Sequence, residues 1–280
     1  MEILKDKESL RNICRQITQS KAKLSLVPTM GMLHPGHLSL IDEALKYSKD
    51  VIVSIFVNPK QFNNQSDFEQ YPNNIELDLK LLREKGVGYV YIPDKADFYR
   101  DNFAFDIQIN HLADALCGAT RPGHLNGVAV VLLKLLNLSG ADYAFFGEKD
   151  YQQLQVIKSL ACDFDLDTKI IGCNTVRELS GLAMSSRNKR LSQNAHDNIG
   201  PLLHQSLLEI KSKLHDNNLD LDLEFIESTK SHLLNQGFSK IDYLEILNGN
   251  LTKYDPNNKD ARIFIAAWLE DIRLIDNIAL

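Results

Sequence analysis

The chain has 280 residues, 44% of them hydrophobic and 24% charged, with a formal net charge of −6 at pH 7. Hydrophobic content of this size with modest charge excludes a disordered chain, and 14 Gly with 8 Pro exclude a collagenous or low-complexity one. A sequence pI near 5.8 excludes a nucleic-acid partner held by bulk positive charge, so an anionic ligand has to be held by a few placed groups.

Residues 1–12 alternate charges with short apolar pairs and read as neither a signal nor a transit peptide. Residues 24–27 predict a short strand stopped by Pro28, and the spacing of Leu38, Ile41, Ala44 and Leu45 predicts a helix over 37–49. Residues 51–57 are β-branched and apolar, as a strand covered on both faces should be, and Pro59 ends them. A loop runs on to Tyr71 and Pro72, followed by a helix over 74–85 closed by Gly86 and by strands at 89–92 and 105–109. A helix over 128–138, a strand at 143–146, a helix over 150–160 and a strand at 168–172 follow. Strands and helices in steady alternation imply a Rossmann-like α/β domain with a doubly wound parallel sheet over residues 1–175. The order then changes to helices over 192–214 and 221–235 and strands at 241–247, 262–269 and 273–278, which predicts a smaller α+β domain over 176–280.

The longest apolar run, 128–138, is interrupted by Lys134 and falls short of the roughly 20 residues of a membrane span. Cys14, Cys117, Cys162 and Cys173 lie far apart with no C-x-x-C, so they read as reduced core thiols of a cytoplasmic protein.

Four segments carry chemistry. The first, 28–37, follows a strand and opens a helix, where an open α/β sheet binds its ligand and a helix N-terminus attracts phosphate. Gly31 and Gly36 let the backbone approach a ligand, and His34 and His37 bracket Pro35 and Gly36 as donors for charge developing on a phosphate. No further Cys or His cluster supplies ligands for zinc. The second segment, 56–62, places Asn58 and Gln61 at the end of the next strand, where neutral amides suit a hydroxyl and a carboxylate. Alone, that Asn-Pro-Lys-Gln run is an ordinary turn. The third, 145–153, puts Gly147 and Lys149 at another strand-to-helix junction, with Gln153 about one turn into the helix. Read by itself, Lys149 with Asp150 is a solvated ion pair. The fourth, 181–188, sets Met184, Ser185 and Ser186 beside Arg187 after a Gly, a loop with phosphate-binding capacity that alone would pass as a linker. Residues 121–124, Arg-Pro-Gly-His, read equally as a binding loop and as a turn packing the next helix.

Taken in order, PTMGMLHPGH, FVNPKQF, Tyr71-Pro72, RPGH, FFGEKDYQQL and GLAMSSRN resemble the pantoate–β-alanine ligases, the pantothenate synthetase family of coenzyme A biosynthesis. That family belongs to the nucleotidyltransferase superfamily. The H-x-G-H turn resembles its HIGH signature, and the Met-Ser-Ser-Arg loop resembles the KMSKS loop of class I aminoacyl-tRNA synthetases. The resemblance implies that Met30, Gly31, Met32, Leu33, His34, Pro35, Gly36 and His37 line ATP, with His37 as proton or transition-state donor and His34 beside it. It implies that Gly147, Glu148, Lys149, Asp150, Val176, Met184, Ser185, Ser186 and Arg187 complete the nucleotide site, Lys149 and Arg187 countering phosphate charge. Gln61 and Gln153 would hold pantoate, and Gln61 would touch β-alanine as well.

The implied reaction joins (R)-pantoate to β-alanine through a pantoyl adenylate, with Mg2+ accompanying ATP, in a cytoplasmic homodimer with no nucleic-acid or membrane partner. A nucleotidylyltransferase of the same superfamily and a silent adenine-nucleotide sensor are the alternatives. The sequence departs from the family at Asn63 to Asp67 and at Glu178-Leu179-Ser180, neither of which touches an implied ligand. Asp78 reads as a solvated helix acid, or as a group near the magnesium.

Overall fold

The computed structural model describes residues 1–63, 68, 69, 71–216 and 223–280. The departure at 64–67 and the predicted start of the last helix at 221 lie outside them. Six strands form one parallel sheet: β1 (Glu2–Leu4), β2 (Leu24–Thr29), β3 (Asp50–Ile55), β4 (Tyr89–Tyr91), β5 (Tyr143–Gly147) and β6 (Lys169–Cys173). Their order across the sheet is β1-β4-β3-β2-β5-β6. From β2 the chain builds outward through β3 and β4, then returns to the other side of β2 to lay down β5 and β6. The strand order therefore reverses between β2 and β5, and such a switch point opens a crevice at the carboxyl ends of the strands.

Alternation along the buried strands explains the two cores. Leu26 and Ile52 face one side with the helices Lys7–Gln19, His124–Ser139 and Tyr151–Asp163. Val27, Val51 and Val53 face the other, under Pro35–Tyr47 and Ile75–Glu84. The doubly wound parallel sheet expected from the sequence is thus observed.

A second sheet of β7 (Lys240–Leu247), β8 (Arg262–Leu269) and β9 (Ile272–Ala279) is antiparallel. The helices Leu202–Asp216, through Leu203, Leu207 and Ile210, and Leu223–Asn235, through Ile226 and Leu233, cover one face with Ile263 and Ile265 in the same core. Its other face sets Tyr243, Phe264 and Ala266 against Leu116 and Tyr151 of the first sheet's surroundings.

Four expectations change. Residues 105–109 are not a strand: Phe105 is exposed, Ile107 and Ile109 pack on the core as side chains, and β1 takes the sheet edge beyond β4. The helix expected over 192–214 is broken, because Pro201 has no N–H to continue it. Gly200 N–H bonds five residues back to Ala195 at 2.7 Å, in a π turn over Ala195–Ile199. All four cysteines are unpaired, but only Cys14 is buried, and Cys162 is exposed on its helix. Asp78 is 1% exposed and no solvated acid. Among the described residues, no helix is long and apolar enough to cross a membrane.

Candidate active site

A cleft opens at the switch point, with a cavity of about 240 Å³. The carboxyl ends of β2, β3 and β5 and the segments following them form its walls. Met30, His34, Gly36 and His37 line it from the first segment; Gly147, Lys149, Asp150 and Gln153 from the third; Met184 to Arg187 from the fourth; Gln61 from the second; and Val176 from the stretch after β6. Gly31, Met32, Leu33, Pro35 and Glu148 do not line it.

The reason lies in Asp78. Gly31 (φ +79°) and Met32 (φ +51°) are consecutive left-handed residues, so their turn points backbone N–H groups into a small concavity. The Asp78 carboxylate fills it, accepting from Met32 N–H at 2.8 Å and Leu33 N–H at 2.7 Å. A Cβ on residue 31 would stand 2.9 Å from that carboxylate, so glycine is required twice over. These amides hold the turn in place and are not free to bind a ligand. Glu148 instead faces Arg262, 3.4 Å away on β8.

His34 caps the helix Pro35–Tyr47 with its own ring: Nδ1 accepts from Gly36 N–H at 3.1 Å, which leaves the ring proton on Nε2. His37 stacks obliquely on it with ring centroids 4.0 Å apart, and its Nδ1 is buried without a hydrogen-bond partner. Burial first, then His37, pushes His34 down to about 3 from its usual 6.5. Burial and the Lys149 ammonium push His37 down to about 4. Both are neutral N–H donors at pH 7.

Asn58 is 1% exposed and fixes Gln61. Two backbone groups of invariable polarity orient its amide: Lys60 N–H donates to Oδ1 at 3.3 Å, and Gly127 C=O accepts from Nδ2 at 3.0 Å. The Tyr99 hydroxyl adds a bond to Oδ1 at 2.9 Å. The remaining Nδ2 proton goes to Gln61 Oε1 at 3.0 Å, so Gln61 turns its Nε2 donors toward the cleft, 3.2 Å from Met30 Sδ. Gly127 makes this contact feasible, since a Cβ there would lie 2.1 Å from Lys60 O. Of the paired glutamines, Gln152 is buried and binds the carbonyls of Leu112 and Ala115, while its neighbour Gln153 lines the cleft.

The sequence named Asn58, Tyr71, Arg121 and His124 without assigning them to the site, yet all four line the cleft. His124 Nδ1 donates to Gln61 C=O at 2.7 Å, and burial, then Arg121, pushes its ring down to about 4. The Tyr71 hydroxyl lies 3.3 Å from Ser186 Oγ, and its ring lies under the Arg187 guanidinium at 5.7 Å. Asn174 and Thr175 also line the cleft, and only their position after β6 could have signalled them.

The three depressed histidines make stability depend on pH. The unfolded chain takes up protons below pH 6.5 that the folded chain refuses until about pH 4 at His37 and His124 and about pH 3 at His34. Their contribution is complete above that window. Stability then falls with acidification, each histidine adding up to about 1.4 kcal/mol per pH unit. Urea midpoints are expected to drop steeply between about pH 6.5 and 4.5; a flat profile there would show that the rings ionise freely in the folded state.

An open parallel sheet with its cleft at the switch point defines a Rossmann-like α/β protein. Within that class the chain belongs to the pantoate-beta-alanine ligase family, whose model matches residues 2–279. It is 43% identical over 282 residues to a pantothenate synthetase of Ruegeria sp. (strain TM1040), covering 99% of each chain, and 42% identical over 281 residues to that of Anaplasma marginale, covering 100% of each. Among solved structures, pantothenate synthetase from Thermus thermophilus superposes with a TM-score of 0.90 at 34% identity, over 100% of this chain and 99% of that one. The Francisella tularensis ligase, complexed with beta-gamma ATP and beta-alanine, superposes with a TM-score of 0.81 at 36% identity, over 100% and 97%.

Proposed function

We propose that this protein condenses (R)-pantoate with β-alanine at the expense of ATP, releasing AMP and pyrophosphate through a pantoyl adenylate. The observation that carries this reading is the division of the cleft into two chemistries. Part of its lining, His34, His37, Lys149 and the Ser185 to Arg187 loop, is a set of N–H, O–H and cationic donors suited to phosphate. Another part, Val128, Val131 and Leu132, offers apolar surface for a branched hydroxy acid, and the amides of Gln61 and Gln153 belong to the same lining. The Francisella relative's complex with beta-gamma ATP and beta-alanine supports the same two substrates here.

In the first step a pantoate carboxylate oxygen attacks the α-phosphorus, the bond to the pyrophosphate oxygen breaks, and charge builds on the departing phosphates. Neutral histidines suit that step, because an N–H donor strengthens its bond as charge develops without first neutralising ATP. In the second, the free amine of β-alanine attacks the acyl carbon, AMP leaves with the bonding pair, and the amine proton is lost. Gln61 Nε2, fixed as a donor, suits a carboxylate substrate.

Among the described residues no cluster of three or more His, Cys, Asp or Glu could hold a metal ion. Mg2+ in this reading is carried by the triphosphate, with Asp150 the carboxylate on the cleft wall. Residues 1–175 form the nucleotide- and pantoate-binding domain, and 176–280 a lid that keeps water from the anhydride. A cytoplasmic homodimer completes the reading, on the family resemblance.

The test is pantoate-dependent exchange of labelled pyrophosphate into ATP without β-alanine, followed by product analysis with it. Exchange, then release of both AMP and pyrophosphate, is expected. No exchange under turnover conditions would sink the two-step scheme, and AMP retained on the product would mark a nucleotidylyltransferase.

A further inference from the structure

Two consecutive residues of the last strand reach both phosphate-side segments of the cleft. β9 belongs to the second sheet, and successive side chains on a strand point to opposite faces. Asp276 sits on the face covered by helix Leu202–Asp216, and Asn277 on the face toward β5. Both are nearly buried, at 4% and 3% exposure.

Asp276 takes a bidentate pair from Arg177, at 2.6 Å from Nη1 and 2.9 Å from Nη2. Arg177 also donates to Gly181 C=O at 3.1 Å and pairs through its backbone with Ala183. Met184 N–H returns to Val176 C=O at 3.0 Å. This closes the arm that delivers Met184, Ser185, Ser186 and Arg187 to the cleft. Asn277 donates its two amide protons to successive carbonyls, Glu148 and Lys149, each at 2.9 Å. Its Oδ1 accepts from Arg262 Nε at 2.9 Å, and that guanidinium lies 4.2 Å over the Tyr151 ring. The donors and acceptors around Asn277 have invariable polarity, so only one orientation of its amide satisfies them.

We propose that Asp276 and Asn277 are positioning residues for the nucleotide's phosphates: together they set the spacing between Lys149 and the Ser185 to Arg187 loop. One strand thereby gives two loops from different parts of the chain a common reference. The second sheet cannot shift against the first without carrying both loops. The inference rests on the proposed function for the identity of the ligand, ATP, but not on the transfer to pantoate.

The experiment compares ATP with adenosine, which lacks the phosphates, by calorimetric titration of the whole chain. Asn277→Asp keeps the shape but turns an oxygen against two carbonyls; Asp276→Asn keeps the shape but removes the charge that Arg177 grips. Each is expected to weaken ATP about tenfold while adenosine changes about twofold or less. A merely structural role would weaken both ligands alike, and equal losses, or unchanged ATP affinity, would overturn the proposal. Should either variant fail to fold, Arg177→Lys, which keeps the charge and loses the fork, carries the same comparison with a smaller expected loss. Pyrophosphate exchange by the wild-type chain separates the two ideas. If exchange is absent while the variants still lose ATP selectively, the ligase reading fails and the positioning role stands.

Discussion

His37→Ala is expected to slow pantoate-dependent pyrophosphate exchange by roughly 10²- to 10³-fold while weakening ATP by about threefold or less. The expectation follows from what the ring is, not only from where it is. His37 is half-buried, neutral at pH 7 and stacked on His34, so it offers a preorganised N–H on the cleft wall. A neutral donor gains little from ground-state ATP, whose phosphate charges are already met by Lys149 and Arg187 in this reading. It gains more as charge shifts toward the leaving pyrophosphate. Removing it should therefore appear in the rate constant and hardly in the dissociation constant. Equal losses in both would make His37 a ground-state binding group and end its assignment as a transition-state donor.

Asp78→Asn is expected to lower unfolding stability by about 3 kcal/mol, read from urea midpoints at constant slope. The carboxylate accepts from two backbone N–H groups in a buried turn, and hydrogen bonds to a charged acceptor contribute about 1.5–3 kcal/mol each. An asparagine keeps one acceptor and sets its NH2 against the other N–H, leaving a buried donor opposed. Because Gly31 and Met32 hold left-handed conformations, the turn has no relaxed alternative that keeps Met30 and His34 on the cleft wall. ATP binding should weaken along with stability. A variant as stable as the wild type would show that another group can satisfy the turn.

The sheet and the four segments at its edge were legible in the sequence because both are written locally. The period of apolar residues separates strands from helices, and Pro, Gly and His cluster at the turns between them, as at Pro28 to His37 and Phe145 to Asp150. The burial of Asp78 was not legible, for a physical reason. The acid stands among exposed residues on an amphipathic helix, and its partners, Met32 and Leu33, are 46 and 45 residues away. Arg177, Asp276 and Asn277 carried no local signal, because their role exists only once β9 lies against two loops separated from it by about a hundred residues or more. Residues 105–109 failed in the other direction: the alternation Phe105, Ile107, Ile109 is strand-like, but β1 had already closed that edge.

The amino-acid order by itself determined the alternating α/β architecture and which side-chain types gather at the strand ends, since each is a property of a few neighbouring residues. The family resemblance, too, was legible there. Tertiary structure alone decided which of those groups face the cleft, that His34 and His37 are neutral, that Gln61 presents its nitrogen, and that Asp78 braces the turn from behind. Those are matters of burial and of partners brought from far along the chain, and desolvation and hydrogen-bond polarity act only after the chain has folded around them.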